Sequence, residues 1–313
     1  MPKLKNAKEK YVNGLKVDKE TKDVVYSDEA HVYLDKTDQQ KYVSVTTLIG
    51  KYENPFDVFF WSSYKTCEKL MSEETFHVLK ETLLATKRWT DDMIEKLHLD
   101  PIIFDKTRKE IQKGYDDERN KSCERGTKIH SNFEEMYYTS EKQDLKKFGL
   151  GGVFTCKKGY YELDLEKGVY PEFLVSLKSS DGILRVAGQI DLLIKDGNDI
   201  YIYDYKTNKE IKKRSYYDQT KWSNIMMKYP LNNIMDCNYY HYTLQLSLYA
   251  YLLQQIKPEL NIKKLTLIHI DHNDKITEYT VDYLKNDVER MLKHYKKLLK
   301  QTTVLDRDRP IVF

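Results

Sequence analysis

The sequence has no long apolar run. Its longest apolar stretches, such as LTLIHI at 265–270, are far shorter than the roughly 20 residues that cross a bilayer. Residues 1–14 also lack the apolar segment of a secretory signal. No membrane partner is expected. We interpret the chain as an intracellular protein, with an organelle as an alternative location.

Cysteine is scarce and widely spaced. The four cysteines, Cys67, Cys123, Cys156 and Cys237, form no short pair, which argues against a CxxC zinc site and against a disulfide-dense scaffold. A phosphate-binding loop of the form G-x-x-x-x-G-K-[ST] is absent as well. No nucleotide cofactor is therefore expected.

The charge has only a weak positive excess. A net charge of +3 and a pI near 8.3 do not by themselves demand a nucleic-acid partner. Basic segments at 209–214 and 293–300 could meet phosphate, although a solvated surface is the simpler interpretation. With 40% hydrophobic and 32% charged residues, the composition is typical of a soluble globular protein.

The first third of the chain reads as a β-hairpin followed by helices. Residues 31–49 alternate like two strands around a polar turn at 36–40. From about 57 to 113, aliphatic residues recur every three or four positions, which predicts a helical region broken at Asp100-Pro101. A further helix is expected from about Gly114 or Gly126 to Ser140.

The second half alternates between strand and helix patterns. Strands are expected at 169–179, 182–195, 200–207, 263–271 and 276–281, and helices at 236–256 and 283–300. This order predicts an α/β fold with a mixed central sheet flanked by helices. We expect an N-terminal extension over residues 1–115, packed on a core of residues 116–313.

Turn residues predict how the central strands pair. The turn DGND at 196–199 closes a hairpin in which opposed residue numbers add to 395, so Asp191 lies opposite Asp204. The turn SSDG at 179–182 predicts pairs that add to 361. That register aligns Glu172, Gln189 and Lys206 in one row of the same face. The opposite face would carry a continuous apolar surface, in which Ile190 lies beside Leu192 and Ile194.

Three carboxylates on one face of a sheet repel one another unless a cation compensates. Oxygen ligands at this density favour Mg²⁺ or Mn²⁺. Lys206 would then stabilise negative charge that develops on a phosphoryl group. The alternative to a metal site is that these charged residues form an exposed ion-pair patch on a sheet with one face in contact with solvent.

Two helices carry further candidates. His130 and Glu134 share one helical face with Thr127, a predicted N-cap. Neutral histidine binds Mn²⁺ well, although a lone histidine is more often structural. Gln245 and Tyr249 likewise share a face and could contact a substrate phosphate or Lys206, or form part of an ordinary half-buried helix.

Together these residues resemble the PD-(D/E)XK nuclease superfamily, and more narrowly its RecB-type exonucleases. The matching pieces are GTKIH (126–130), PEF (171–173), GQID (188–191), YDYKT (203–207) and QLSLY (245–249), with SVTT (44–47) upstream. The layout is similar to that of mitochondrial genome-maintenance exonucleases and phage-encoded nucleases. The resemblance implies a restriction-endonuclease-like core.

The resemblance also implies roles for individual residues. The metal ligands would be His130, Glu172, Asp191, Asp204 and the backbone carbonyl of Tyr205, and Lys206 would be the catalytic lysine. Gln245, Tyr249, Gln189 and Thr207 would position the substrate or the lysine, with Glu134 as an accessory residue. Cysteines do not follow the QLSLY helix, so no iron–sulfur cluster is expected.

The function that this resemblance implies is hydrolysis of DNA by metal-activated water, as an exonuclease of replication, recombination or repair, of phage or viral origin. Its partners would be DNA ends, single- or double-stranded, and a helicase or a single-strand annealing or binding protein. One alternative is a structure-specific or restriction-like endonuclease on the same core. Another is an inactive nucleic-acid-binding or virion protein that retains the fold.

Overall fold

The structure is a computed structural model that describes residues 10–86, 88–139, 142–151, 153–156, 165–218 and 223–307. The chain divides into two compact units. One comprises Met1–Asn54 and Ile129–Phe313, and the other comprises Pro55–Lys128. The expected division into an extension at 1–115 and a core at 116–313 stays a prediction.

Within the described residues the chain forms fifteen strands and seven α-helices. The strands are β1 Tyr11–Val12, β2 Leu15–Lys16, β3 Lys19–Glu20, β4 Val24–Ser27, β5 Val32–Asp35, β6 Lys41–Ser44, β7 Lys142–Asp144, β8 Val153–Cys156, β9 Gly168–Lys178, β10 Arg185–Asp196, β11 Asp199–Lys206, β12 Tyr217–Asp218, β13 Ser223–Asn224, β14 Asn261–Ile270 and β15 Ile276–Val281. The helices are α1 Val45–Gly50, α2 Val58–Leu70, α3 Glu73–Leu84, α4 Asp91–Lys96, α5 Pro101–Tyr138, α6 Asn238–Ile256 and α7 Lys285–Arg307.

The larger unit is built on a mixed sheet. Strands β15, β14, β11 and β10 are neighbours in that order, with β11 and β14 parallel and the other pairs antiparallel. β9 pairs with the opposite edge of β10, and β6 joins β10 in parallel and continues into β5, β4 and β3. This arrangement confirms the predicted α/β class, the mixed sheet and the N-terminal hairpin, which is formed by β5 and β6.

Of the two predicted hairpin registers, that of β10 with β11 is confirmed and that of β9 with β10 is wrong. Leu192 pairs with Tyr203 and Ile194 with Tyr201, so the predicted sum of 395 is confirmed. The β9–β10 pairs add to 363, as in Gln189 with Leu174, and the predicted sum of 361 was wrong. The turn lies further along the chain than expected, because the Ser179 N–H donates to the Leu184 carbonyl across the loop.

The corrected register changes the neighbour of Glu172. Pro171 and Phe173 pair with Leu192 and Ile190, so Glu172 lies at the level of Asp191 and not of Gln189 as predicted. The carboxylates of Glu172 and Asp191 are therefore closer neighbours than the sequence predicted.

The core covers both faces of the sheet. On one face Ile190, Leu193 and Ile202 pack with the buried side of α6, and on the other Leu192 and Tyr203 pack with Tyr137 of α5, among others. Ile190 was predicted on the same surface as Leu192, and this was wrong. The alternation of side chains shifts by one residue between 190 and 193, at the position where Glu172 and Asp191 leave the ladder.

Two helices differ from the prediction. Residues 45–50 form α1 and not the end of a strand, because the Ser44 hydroxyl accepts the Thr47 N–H as an N-cap. α5 is one helix of 38 residues that starts at Pro101, where the Asp100 carboxylate accepts the N–H groups of Ile102 and Ile103. Thr127 therefore lies inside this helix, and its prediction as an N-cap was wrong.

The smaller unit is helical, as the spacing of its aliphatic residues predicts. It contains α2, α3, α4 and the first part of α5, up to Lys128. Side chains from these helices form a core that includes Tyr64, Cys67, Leu83 and Phe104. None of the helices in the described part of the chain combines the length and apolar character needed to span a membrane.

Candidate active site

The site forms where β10 exchanges one neighbour for another. On the same edge, β10 pairs with β6 at Val186 and Ala187 and with β11 from Leu192 onward. Asp191 lies in the gap between these two partners. Its Oδ2 accepts the backbone N–H of Tyr205 at 2.7 Å. The Asp191 carboxylate therefore bonds to a backbone N–H of β11 where the backbone pairing between β10 and β11 has ended.

Glu172 has an unusual backbone conformation. Its φ is 49°, in the left-handed region that residues other than glycine adopt rarely. Such strain costs on the order of 1–3 kcal/mol and concentrates at functional sites. The strand pairs of Pro171 and Phe173 on either side hold Glu172 in this conformation.

His130 approaches the same carboxylates from α5. Its Nε2 lies 3.2 Å from the Tyr205 carbonyl oxygen, and because a carbonyl only accepts, Nε2 carries the proton of this hydrogen bond. Nδ1 then faces the acidic side chains, 3.5 Å from Asp191 Oδ2 and 3.9 Å from Glu172 Oε1. This orientation leaves Nδ1 as the nitrogen that can bind a cation.

The three side chains of His130, Glu172 and Asp191 offer one ligand atom each, and these atoms lie within 4.8 Å of one another. Two carboxylates and an imidazole suit a divalent cation of the Mg²⁺ or Mn²⁺ type. Asp204, at 1% exposure, adds a buried carboxylate whose Oδ2 lies beside the Lys206 ammonium. The donor set present in this chain therefore fits such an ion.

The pKa values reflect this crowding of charge. Burial, and then the charge of Asp204, raise the pKa of Asp191. Burial lowers the pKa of His130, but the carboxylates of Asp191 and Glu172 outweigh it and raise that pKa to about 9. Burial likewise opposes the charge of Lys206, and Asp204 and Asp191 outweigh it, so its pKa is raised. A cation would relieve the repulsion between these carboxylates.

Asp204, Lys206 and Gln245 form a connected chain on the α6 side of the sheet. The Lys206 Nζ lies 2.6 Å from Asp204 Oδ2 and donates to Gln245 Oε1 at 3.1 Å. The Gln245 Nε2 donates to Asp204 Oδ1 at 2.9 Å. One amide thus presents its oxygen to the ammonium and its NH₂ group to the carboxylate, which fixes both charged groups relative to the sheet.

Tyr249 follows Gln245 by one helical turn. Its hydroxyl accepts from Gln245 Nε2 at 3.3 Å, and its ring lies against Gly188. A Cβ at Gly188 would come within 2.7 Å of Tyr249 Cε1, closer than real side chains approach. The glycine of the GQID motif therefore makes room for Tyr249.

The structure adds two residues that the sequence reasoning missed. The Tyr242 ring lies below the Lys206 ammonium, with Nζ 4.5 Å from the ring centroid, and its hydroxyl donates to Asn208 Oδ1 at 2.6 Å. Tyr242 precedes Gln245 by three residues on α6, so helical spacing was the available signal. The second residue, Lys19, comes from β3, and no local pattern marked it.

The remaining candidates occupy the border of the site. The Gln189 Oε1 accepts from Lys19 Nζ at 2.7 Å, and Glu134 Oε1 lies 3.9 Å from the same ammonium. The Tyr205 carbonyl faces His130 as described above. Thr207 directly follows β11. The structure thus gathers His130, Glu172 and Asp191 in one cluster and Asp204, Lys206, Gln245 and Tyr249 in an adjoining one.

Comparisons with known proteins agree with this geometry. A family model described as the PD-(D/E)XK nuclease superfamily matches residues 153–309, half of the chain. This segment contains all the strand and α6 residues of the site from Glu172 to Tyr249. Among curated proteins no sequence matches this chain.

Two solved structures resemble the chain weakly. One, named SSO0001, has a TM-score of 0.25 and 16% identity, and the match covers 46% of this chain and 53% of that protein. The other, named "Putative exonuclease" and from Eubacterium rectale, has a TM-score of 0.31 and 9% identity, over 83% of this chain and 79% of that one. At these TM-scores neither likeness carries an argument about function.

Proposed function

This chain belongs to the PD-(D/E)XK nuclease superfamily, and from that premise we propose that it is a divalent-metal-dependent exonuclease acting on DNA. The observation that carries the proposal is the position of the His130, Glu172 and Asp191 cluster beside the Asp204–Lys206 ion pair. A cation site next to a buried ammonium supplies an activated water and a positive charge for the phosphoryl group, which suits phosphodiester hydrolysis.

His130, Glu172, Asp191 and Asp204 would hold the ion, and the Tyr205 carbonyl would orient His130 through Nε2. When bound, the ion supplies positive charge that polarises the phosphodiester and activates a water molecule. The proton on His130 Nε2 remains with the Tyr205 carbonyl, so a bound ion would displace only the proton on Nδ1. Asp191 is oriented by the Tyr205 N–H, so two groups of the same residue of β11 orient two ligands.

Lys206 is the proposed catalytic lysine. Its raised pKa keeps the ammonium protonated near neutral pH. Gln245 and Tyr242 restrain its position, one through a hydrogen bond and the other through the face of its ring. A fixed ammonium stabilises charge that develops on a phosphoryl oxygen without reorganising during the reaction.

We propose DNA ends as the substrate because the GTKIH and QLSLY motifs resemble those of RecB-type exonucleases. The same resemblance supports a role in replication, recombination or repair, a phage or viral origin, and a helicase or single-strand binding or annealing protein as a partner. An intracellular location accords with that role. Gln189, Thr207, Tyr249 and Glu134 are proposed to position the substrate or the catalytic groups.

The test compares DNA with and without ends. The purified protein is incubated with Mg²⁺ or Mn²⁺ and end-labelled single-stranded, duplex and covalently closed circular DNA, and product lengths are measured. We expect short products from linear DNA and none from closed circles. Cleavage of closed circles would replace the exonuclease proposal with the endonuclease alternative on the same core.

A further inference from the structure

A second lysine lies at the border of the active site. Lys19, on β3, has a side chain that is only 18% exposed. Its ammonium donates to Gln189 Oε1 at 2.7 Å, and lies 3.7 Å from Glu172 Oε2 and 3.9 Å from Glu134 Oε1. The first contact is a hydrogen bond and the other two are ion pairs. Three oxygen atoms from three elements thus surround one ammonium.

Glu172 has its two oxygens directed at different partners. Oε1 lies 3.9 Å from His130 Nδ1, and Oε2 lies 3.7 Å from Lys19 Nζ. The ammonium therefore accompanies the oxygen that the histidine does not approach. In nuclease sites with two ions the ions lie roughly 3.5–4 Å apart, and a second ion beside Glu172 would approach the oxygen that the Lys19 ammonium accompanies.

The charges beside Glu172 favour a single divalent ion. Lys206 pairs with Asp204, and the Lys19 ammonium lies beside the carboxylate of Glu172. One divalent ion would then offset the negative charge that Glu172 and Asp191 carry. A second ion would add two positive charges beside an ammonium that is already present, which Coulomb repulsion disfavours at low effective dielectric.

We propose that Lys19 takes the place of a second divalent ion, and that as a positioning residue it holds Glu172 for a site that binds a single ion. This inference rests on the proposed metal-dependent function. It assigns a role in the reaction to β3, which lies outside the segment that the family model matches. Lys19 acts through Glu172 and touches neither the ion nor the substrate.

The experiment counts bound ions with Mn²⁺ alone, by isothermal titration calorimetry on the full chain without DNA. The wild type is expected to bind one Mn²⁺ per chain. Lys19→Met, which removes the ammonium, is expected to bind two. Lys19→Arg keeps the positive charge and is expected to bind one Mn²⁺ per chain, as the wild type does. Lys22→Met is the matched control, because Lys22 is exposed and forms no ion pair among the described residues, and it is expected to bind one.

The possible results separate the two proposals. Two ions in the wild type, or one ion in Lys19→Met, would overturn the role of Lys19 and leave the nuclease function standing. No bound ion in the wild type would overturn the metal-dependent function itself. Lys19→Gln, which loses the charge but keeps a polar end beside Gln189, repeats the test with a smaller change in packing. Thermal unfolding of each variant verifies that it is folded.

Discussion

Asp191 Oδ2 accepts the backbone N–H of Tyr205 at 2.7 Å, beyond the last backbone pair between their strands, Leu192 with Tyr203. A carboxylate of β10 thereby occupies the position that a strand carbonyl would otherwise take. The bond orients Asp191 toward His130 and fixes the start of the sequence Tyr205-Lys206. Two motifs that are distant in sequence are thus joined by one hydrogen bond.

Replacing Gln245 by Leu is expected to lower the rate of DNA hydrolysis about 100-fold, because misplacement of a catalytic group by about 1 Å has an effect of this size. The variant loses the bonds to Lys206 and Asp204. Steady-state kinetics should show the loss mainly in kcat. Gln254→Leu is the control, since Gln254 lies on the same helix and bonds to Leu260 and Tyr283. Equal rates for the two variants would contradict this role of Gln245.

Replacing Gly188 by Ala is expected to destabilise the protein by about 1–3 kcal/mol, the usual cost of overpacking. The new methyl group would lie 2.7 Å from Tyr249 Cε1. Urea unfolding of the single and double variants measures the effect. Removing the ring in Gly188→Ala/Tyr249→Ala should relieve the clash, so the double variant should be more stable than the sum of the two single effects predicts. If the changes in unfolding free energy of the two single variants simply add in the double variant, Gly188 and Tyr249 do not contact each other.

The stability of the metal-free protein is expected to fall as the pH rises from 6.5 to 9. The folded protein holds protons on His130, whose pKa is raised to about 9, and on Asp191, whose pKa is also raised. The native state therefore binds more protons than the unfolded chain, and stability decreases as those protons leave. Thermal unfolding in EDTA across this range measures the change.

The stability of the His130→Asn variant should depend less on pH than that of the wild type. The control variant His77→Asn, which changes an exposed histidine, should show the same pH dependence as the wild type. Added Mn²⁺ should also reduce it, because the charge of the ion replaces that of the protons. An unfolding temperature in EDTA that stays constant or rises between pH 6.5 and 9 would contradict the arrangement of charges described here.

Part of the site could be predicted from sequence because short turns determine strand register. The DGND turn predicted the pairs of β10 with β11 correctly from Leu192 to Asp196, since a tight turn allows few pairings. Glu172 was misplaced by two residues because the loop after β9 is longer than its SSDG turn. There Asp181 accepts from Ser179 Oγ and from the Ile183 N–H, and the loop closes at Leu184.

Lys19 could not be predicted in the same way. It lies 170 residues from Gln189 along the chain, in a charged stretch without strong periodicity. Only the packing of the N-terminal strands on β9 and β10, through residues such as Tyr26, Leu174 and Ala187, brings it to the site. Tertiary contacts of this kind leave no local pattern.

The continuity of α5 was missed for a different reason. An interior glycine costs only about 1 kcal/mol relative to alanine, so Gly114 and Gly126 weaken a long helix without ending it.

Nucleotide release from end-labelled DNA by the wild type and by Asp204→Ala and Lys206→Ala tests the metal-dependent nuclease activity most directly. With Mg²⁺ or Mn²⁺ the wild type should release nucleotides, and EDTA should stop the release. Each substitution should lower the rate by at least about 10²–10³-fold, the effect of losing one preorganised charged group, while DNA binding measured by fluorescence anisotropy is retained. The account would be contradicted if the wild type releases no nucleotides with either ion from single- or double-stranded ends, or if both variants cleave at the wild-type rate.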